Sequence, residues 1–204
     1  RALPPNDPRW VWPLKWSGAK QPLLGPGQPS LIFAGVTTDI FHEGWSGSIL
    51  DRVIGTLTLS DHIGQLLTKR PERMAAYFTT KKSMLPRRRD KLWTGFSAER
   101  QVEFDVRWPH MRPLAELGFT VFTSLAPLLS PITLPEDFLH FGDRIWCIVS
   151  GEEPPFVRHM DPEWARALRD QCAAASVPFF MLQMSGVQLL PPDLYVRQFP
   201  RWER

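Results

Sequence analysis

The chain of 204 residues has only two cysteines, no apolar run of membrane-spanning length and a formal net charge of only +3. Without such an apolar run it has no spanning helix, and residues 1–30 are too rich in proline for a signal peptide. The small net charge gives no argument for nucleic-acid binding by itself. These absences favour a soluble, cytoplasmic protein that does not enter a membrane.

The two cysteines lie far apart, Cys147 in an apolar run and Cys172 on one face of a helical pattern. Their spacing fits no zinc or iron–sulfur motif. We therefore expect two buried free thiols in a reducing compartment, and no metal site built from this chain.

Strand and helix patterns alternate along most of the chain. Short, continuously apolar runs predict strands buried on both faces at 30–36, 63–67, 92–96, 119–123, 144–149 and 178–182. Amphipathic patterns predict helices at 48–59, 70–78 and 164–174, one or two within 99–117 that break at Pro109 and Pro113, and a single turn near 135–139. Asp161 and Pro162 supply the N-cap and first residue of the helix before the last strand.

This alternation implies right-handed crossovers and a parallel sheet. No glycine-rich phosphate fingerprint follows the first strand, which argues against a dinucleotide-binding fold. We predict an α/β fold, namely a partial TIM-like barrel of about six parallel strands with helices outside. In this division residues 30–186 form the barrel, residues 1–29 are an irregular segment packed on it, and residues 187–204 are a C-terminal tail.

The most informative stretch is the octet LTKRPERM at 67–74. A strand that ends in Thr68, Lys69 and Arg70 and turns through Pro71 into a helix puts positive charge at the carboxyl edge of the sheet. Ligands bind at that edge in α/β folds. A strand-to-helix loop with solvated cations explains the same residues, so both interpretations stay open.

Polar residues follow every predicted strand. The sequence leaves three interpretations open for Asp39 and His42, namely a catalytic pair, a metal pair, or a helix cap beside a surface histidine. Glu152 and Glu153 orient a ribose or an amino group, or cap the next turn. The set expected at the carboxyl edge comprises Thr37, Thr38, Asp39, His42, Thr68, Lys69, Arg70, Ser97, Glu99, Arg100, Ser124, Ser150, Gly151, Glu152, Glu153, Arg158, His159, Gln183 and Ser185.

A basic segment lies between the second predicted helix and the third strand. It contains one acid, Asp90, and is either a solvated loop or a surface that contacts phosphates or another partner. Its cations are Lys81, Lys82, Arg87, Arg88, Arg89 and Lys91.

Several stretches together resemble a phage and bacterial protein family of unknown function. They are TDIFHE at 38–43, the octet at 67–74, LWTGFSAE at 92–99, PLL and PI within 127–132, WCIVSGE at 146–152, and PEW, LRDQC and PFF within 162–180. Their order and spacing match over residues 30–186. Members of this family resemble radical S-adenosylmethionine enzymes built on a partial α/β barrel, so the resemblance implies an enzyme of that type.

The resemblance also implies a 4Fe–4S cluster. Family members carry a first strand and three closely spaced cysteines, which hold the cluster, and an open iron site binds S-adenosylmethionine. The six strands here would be the second to seventh of the family barrel. Because the chain begins at Arg1 and nothing in it replaces three cysteines, we expect either a fragment or a member that has lost the cluster.

Three positions at strand ends depart from the family pattern. Ala126 stands where the family usually has an acid, Ser150-Gly151-Glu152-Glu153 replaces Gly-Gly-Glu-Ser, and Leu182 replaces a lysine. Our hypothesis is that this chain keeps the fold of the family but has lost the reaction that the family originally catalysed.

Two functions follow as hypotheses. In an enzyme, the resemblance implies that Ser150, Gly151 and Glu152 line S-adenosylmethionine. An anionic substrate, a nucleotide or nucleic acid, would then face the cations and candidate catalytic residues Asp39, His42, Lys69, Arg70 and Arg158.

The alternative is a cluster-free, non-catalytic protein that uses the basic segment and its tryptophans to bind nucleic acid or a protein. A hydrolase that uses Asp39, His42 and Ser97 or Ser150 is disfavoured, because no Gly-x-Ser-x-Gly turn is present. An incomplete barrel also leaves two strand edges unpaired, so we expect a partner, a dimer or residues 1–29 to cover them.

Overall fold

Six parallel strands form one sheet in the order of the sequence in the computed structural model, which describes residues 4, 6–18, 22–35, 38–80, 89–155 and 157–202. The sheet curls into a half-barrel with helices around it. The partial-barrel prediction is therefore confirmed. The strands are β1 (Leu31–Ala34), β2 (Ile63–Thr68), β3 (Leu92–Ser97), β4 (Thr120–Leu125), β5 (Ile145–Val149) and β6 (Phe179–Met181).

The helices follow the predicted pattern closely. They are α1 (Trp12–Lys15), α2 (Gly47–Leu59), α3 (Pro71–Thr80), α4 (Gln101–Glu116), α5 (Glu136–Leu139) and α6 (Pro162–Ala174). Short 3-10 helices lie at Pro8–Val11, Arg89–Lys91, Gly142–Arg144 and Pro192–Leu194. No helix in the described part of the chain has the length and apolar character needed to cross a membrane.

One helix prediction is wrong. Residues 101–116 form a single helix, although Pro109 and Pro113 were expected to break it. Each proline removes one helical hydrogen bond and kinks a helix at most positions. Here Pro109 is exposed and Pro113 half-buried, while Trp108 and Leu114 pack into the core. Packing of the apolar face therefore outweighs the local cost of the two prolines.

The two faces of the sheet carry different side chains. On the convex face, Leu66, Phe96 and Val121 join the helices in the main core. On the concave face, an aromatic layer fills the half of the barrel near the amino ends of the strands. The aromatic layer consists of Trp93, Phe122, Trp146 and Phe180 with Ile63, and partly buried Phe199 and Trp202 pack against it.

The aromatic layer is held together by edge-on ring contacts. The ring centroids of Trp93 and Trp146 lie 5.5 Å apart, and those of Trp146 and Phe180 lie 5.7 Å apart, at interplanar angles of 78° and 90°. Such T-shaped pairs are the favoured arrangement of aromatic quadrupoles. Because the amino half is filled in this way, the open part of the concave face lies towards the carboxyl edge in the described structure.

The outer edge of β6 is covered by the chain's own tail. Met181 N donates to Val196 O at 2.9 Å, and Gln198 N donates to Phe179 O at 2.9 Å. The sequence predicts a partner, a dimer or residues 1–29 at the open edges, and it does not predict cover by the tail. Within the described residues no strand pairs with the other edge of β1, so a covering partner there stays a prediction.

Substitution of Gly95 by alanine should destabilise the fold, because a Cβ atom at this position would lie 2.4 Å from the ring of Phe122. We expect a loss of about 1–3 kcal/mol in the free energy of unfolding, typical of overpacking, measured by urea denaturation. The matched control is Gly55→Ala on α2, where no atom lies within 4 Å. It should stabilise the protein by about 0.5–1 kcal/mol, as expected for a helical glycine, and an equal loss in both variants would contradict the packing argument.

Candidate functional site

A cavity of about 290 Å³ opens at the carboxyl ends of β1, β2 and β3. We call the concave surface from this cavity to the ends of β5 and β6 the carboxyl-edge site. The octet predicted to bind ligand contributes four of the cavity residues. The cavity is lined by Phe33, Gly35, Thr38, Asp39, Leu67, Thr68, Lys69, Arg70 and Ser97.

The carboxylate of Asp39 joins the loop after β1 to the end of β2. Both of its oxygens lie 2.9 Å from Thr68 Oγ1, and one accepts from Phe41 N at 2.9 Å. The other accepts from Lys69 N and from Arg70 Nη1, each at 3.0 Å. These donors occupy the lone pairs of the carboxylate. Asp39 is therefore built into the scaffold of the site, an arrangement that favours a positioning role.

His42 points away from Asp39. Its Nδ1 accepts from Gly44 N at 3.0 Å, and the side chain is exposed. No hydrogen bond joins the Asp39 and His42 side chains in the described structure, so the pair predicted from the sequence does not meet as an acid–base dyad. Arg73 instead holds this turn, by donating to the carbonyl oxygens of Phe41, His42 and Trp45.

The two cations of the octet that directly follow β2, Lys69 and Arg70, are each paired with carboxylates. Arg70 Nε lies 2.9 Å from Glu43 Oε2, in addition to its bond to Asp39. Lys69 Nζ donates to Glu99, whose other oxygen lies 3.3 Å from Arg107 Nη1. Burial alone would raise the pKa of Glu99, but its contacts with Lys69 and Arg107 outweigh burial and lower it. The positive charge predicted at this edge is present but is compensated by acids.

Two serines on neighbouring strands present unused hydroxyl groups. Ser97 and Ser124 are paired in register on β3 and β4 and lie on the concave face, 6% and 9% exposed. Neither hydroxyl has a hydrogen-bond partner within the described residues, and neither is sealed from solvent as those of Thr94 and Thr123 are. Neighbouring strands lie about 4.8 Å apart, so the two hydroxyls can bind adjacent polar atoms of one ligand.

Ser150, Gly151 and Glu152 follow β5 and pack against the segment after β6. A Cβ atom on Gly151 would lie 2.2 Å from the backbone nitrogen of Ser185, so only glycine fits this contact. The close approach lets Ser185 Oγ accept from Glu152 N at 3.0 Å. The Ser150 hydroxyl donates to the Gly151 carbonyl at 3.0 Å. This packing fixes where the Glu152 side chain begins.

Glu152 and Arg158 form an ion pair at the rim of the site. The backbone N and Nε of Arg158 each lie 2.9 Å from Glu152 Oε2, and Nη2 bonds the other oxygen. These hydrogen bonds, with the charge of Arg158, lower the pKa of Glu152 from 4.5 to about 2. The nearby charge of Glu99 also helps to raise the pKa of Arg158. The charged groups that follow β3 and β5 therefore interact with each other.

The described end of the basic segment lies away from this site. Lys81, Lys82, Arg87 and Arg88 lie outside the described residues. Arg89 precedes β3 at the amino edge, where its guanidinium donates to Leu117 O and lies over the ring of Phe119 at 5.8 Å. Arg89 therefore has a structural role, and it lies at the opposite end of the sheet from Lys69 and Arg70.

The residues described do not fit an iron–sulfur cluster. Cys147 on β5 and Cys172 on α6 are fully buried in the convex core, away from the carboxyl-edge site. Their mutual hydrogen bond and burial raise the pKa of the Cys147 thiol, whereas cluster ligands are thiolates. Within the described ranges no three His, Cys, Asp or Glu side chains form a metal-binding group.

Comparison with known proteins gives a family but no activity. The sequence profile of a family described as "Protein of unknown function (DUF5131)" matches residues 3–190. The chain belongs to the DUF5131 family. No curated protein and no solved structure matches the chain. Membership of DUF5131 confirms that the chain belongs to a family of unknown function. The phage and bacterial family defined by the quoted stretches, and its likeness to radical S-adenosylmethionine enzymes, stay predictions.

Sequence reasoning missed Glu43 and Arg107 as site residues, and it did not place Ser97 and Ser124 on the concave face. Glu43 lies within the quoted TDIFHE stretch, but only the fold shows that it pairs with Arg70. Arg107 lies on α4, so its position in the sequence does not link it to the end of a strand. Ser97 and Ser124 stood in the strand-end set, and their alternation with Trp93 and Phe122 could have placed them on the concave face.

The low pKa of Glu152 should depend on Arg158. We expect its carboxyl group to titrate near pH 2, because Arg158 stabilises the charged form. The ion pair should therefore be fully formed above pH 4.5 and lost as the pH falls through about 2. The measurement is an NMR titration of side-chain carboxyl carbons.

In Arg158→Ala the pKa of Glu152 should return towards 4.5. The control Arg112→Ala removes an arginine that pairs with Glu116 and Asp137 on the outer helices, and it should leave Glu152 unchanged. An equal pKa of Glu152 in all three proteins would refute the pairing.

Proposed function

We propose that this DUF5131 chain is a divergent member, or part, of a radical S-adenosylmethionine-type enzyme and that its carboxyl-edge site binds S-adenosylmethionine. The observation that carries the proposal is the pair of unpartnered hydroxyls of Ser97 and Ser124 on the open half of the concave face. Apolar side chains and the Glu152–Arg158 ion pair belong to the same edge of the sheet, a combination suited to a nucleoside joined to an amino acid.

The serine pair suits a ribose. A sugar with two neighbouring hydroxyls needs partners that both donate and accept, and serine hydroxyls do both. Apolar surface for the rest of a nucleoside comes from Leu67 and Ile148, which are partly buried, and from Phe33 and Leu182, 41% and 45% exposed. Pockets for small ligands typically combine apolar walls with a few fixed polar groups in this way.

The Glu152–Arg158 pair suits the other end of the same ligand. An α-amino acid carries an ammonium group beside a carboxylate, so an acid and an arginine held side by side match its two charges. The low pKa of Glu152 keeps its carboxylate charged near neutral pH. Bound S-adenosylmethionine would supply a sulfonium with activated carbon–sulfur bonds, and the chain's part is to hold and orient it.

The proposed substrate is a nucleotide or nucleic acid, by analogy with the family resemblance. Lys69 and Arg70 are the cations available to it while Arg158 holds the amino-acid end of S-adenosylmethionine. Each is paired with an acid in the structure. A substrate phosphate would therefore have to replace Glu43 or Glu99 as the partner of a cation. Asp39 and His42 would border the substrate without forming a dyad.

Binding of S-adenosylmethionine to the chain tests this proposal. Isothermal titration calorimetry should show one site per chain, and Ser97→Ala with Ser124→Ala should weaken it by about tenfold, as expected when one or two hydrogen bonds are lost. Thr79→Ala removes a hydroxyl on the exposed face of α3 and should leave binding unchanged. Absence of binding, or equal affinity in the serine and threonine variants, would reject the assignment.

The cluster-free binding protein remains the second candidate, favoured because the described cysteines lie on the convex face. Anaerobic iron–sulfur reconstitution of the complete gene product separates the two. The enzyme proposal predicts about four irons per chain and a broad thiolate-to-iron absorption band. It also predicts that Cys147→Ser with Cys172→Ser retains that iron. A product without iron would contradict the enzyme and support the cluster-free alternative.

A further inference from the structure

The long helix α4 carries apolar residues on two opposite faces. Its inner face packs into the main core through Phe104, Trp108, Met111 and Ala115. A second apolar set begins two residues earlier and repeats the same spacing along the helix. Two residues turn an α-helix through about 200°, so this second set lies on the outer face. We call it the outer stripe, and it consists of Val102, Val106, Pro109 and Pro113.

The outer stripe is open to solvent in the described structure. Val102 and Val106 are 61% and 58% exposed, Pro109 is exposed and Pro113 is half-buried. Helices α3 and α5 pack along the two sides of α4 and leave the stripe uncovered. A surface helix normally has polar residues opposite its buried face, and a helix that is apolar on all sides is normally buried. The outer stripe therefore has the character of an interface.

Charged residues border the outer stripe in a pattern that is complementary to itself. Asp105 and Arg112 lie on the side of α5, and Glu103 and His110 lie on the side of α3. On each side the acid is nearer the amino end of α4 and the base is nearer the carboxyl end.

This pattern selects one orientation for a second copy of α4. In a two-fold antiparallel pair the same side of each helix meets, so Asp105 faces the partner's Arg112 and Glu103 faces the partner's His110. In a parallel pair Asp105 would face the partner's Glu103, and the two acids would repel each other.

The bordering charges set the orientation more than the strength of the association. Both bases already have an acid within the chain, because Arg112 lies 3.0 Å from Asp137 and His110 lies 3.4 Å from Glu72. Exposed ion pairs contribute little to stability. Burial of the apolar stripe therefore supplies most of the association free energy.

We propose that the outer stripe is a dimer interface, at which α4 packs antiparallel against α4 of a second copy of this chain. Two-fold symmetry brings the same surface of both copies together, and the outer stripe with its bordering charges meets that requirement. Because one helix face is small beside the interfaces of permanent dimers, the dimer dissociates on dilution. The inference is independent of the function proposed for the carboxyl-edge site.

Sedimentation velocity of the chain from micromolar to millimolar concentrations tests the interface. The mass should rise from that of one chain towards that of two. Val102→Lys with Val106→Lys should weaken dimerisation by about tenfold or more, because it removes apolar surface and brings like charges together. Both valines are mostly exposed, so this variant should keep the helical circular dichroism of the unchanged protein.

The matched control is Val187→Lys with Leu189→Lys. These two apolar residues lie outside α4 and are 98% and 90% exposed, so dimerisation should be unchanged. A monomer at every concentration would overturn the inference, and so would equal weakening in the two double variants.

An exchange of charges tests the antiparallel orientation. Asp105→Lys alone places a lysine beside the partner's Arg112, and Arg112→Glu alone places a glutamate beside the partner's Asp105. Each variant should therefore dimerise about tenfold more weakly. An equimolar mixture of the two should recover the original affinity, because every contact of the mixed dimer joins opposite charges. A mixture that associates no more tightly than the separate variants would refute the antiparallel pairing.

Discussion

The packing of Phe122 across Gly95 determines where this half-barrel can bind anything. Because Gly95 has no side chain, the Phe122 ring lies directly over β3 and the aromatic layer closes the amino half of the concave face. The open half then begins two residues after Gly95 and Phe122, at Ser97 and Ser124. Because the aromatic layer fills the amino half, a ligand on the concave face would meet the polar residues at the carboxyl ends of the strands.

Electrostatic pairing is the second constraint on function. Lys69 and Arg70, which the octet brings to the carboxyl edge directly after β2, each meet an acid. The Asp39 carboxylate is fully used by backbone and side-chain donors. The site is therefore close to neutral and preorganised, which favours a ligand with both charges over a simple anion.

The alternation of apolar strands and amphipathic helices was enough to predict all six strands and the half-barrel, because parallel strands buried on both faces leave a clear pattern. Helix α4 was predicted but its continuity was not, since tertiary packing of Trp108 and Leu114 overrides the local effect of Pro109 and Pro113. At the site, sequence identified the octet and the end of β5. It could not show that Asp39 turns to Thr68 and away from His42, or that Glu43 and Arg107 reach the site, because these contacts join residues distant in the chain.

The account depends most on where a ligand lies on the concave face. A crystal structure of the chain with S-adenosylmethionine tests this directly. The account predicts that the ribose contacts Ser97 and Ser124 and that the amino-acid end contacts Glu152 and Arg158, with the aromatic layer unchanged. Ligand bound elsewhere, or no ligand at saturating concentration with the carboxyl edge open to solvent, would contradict it.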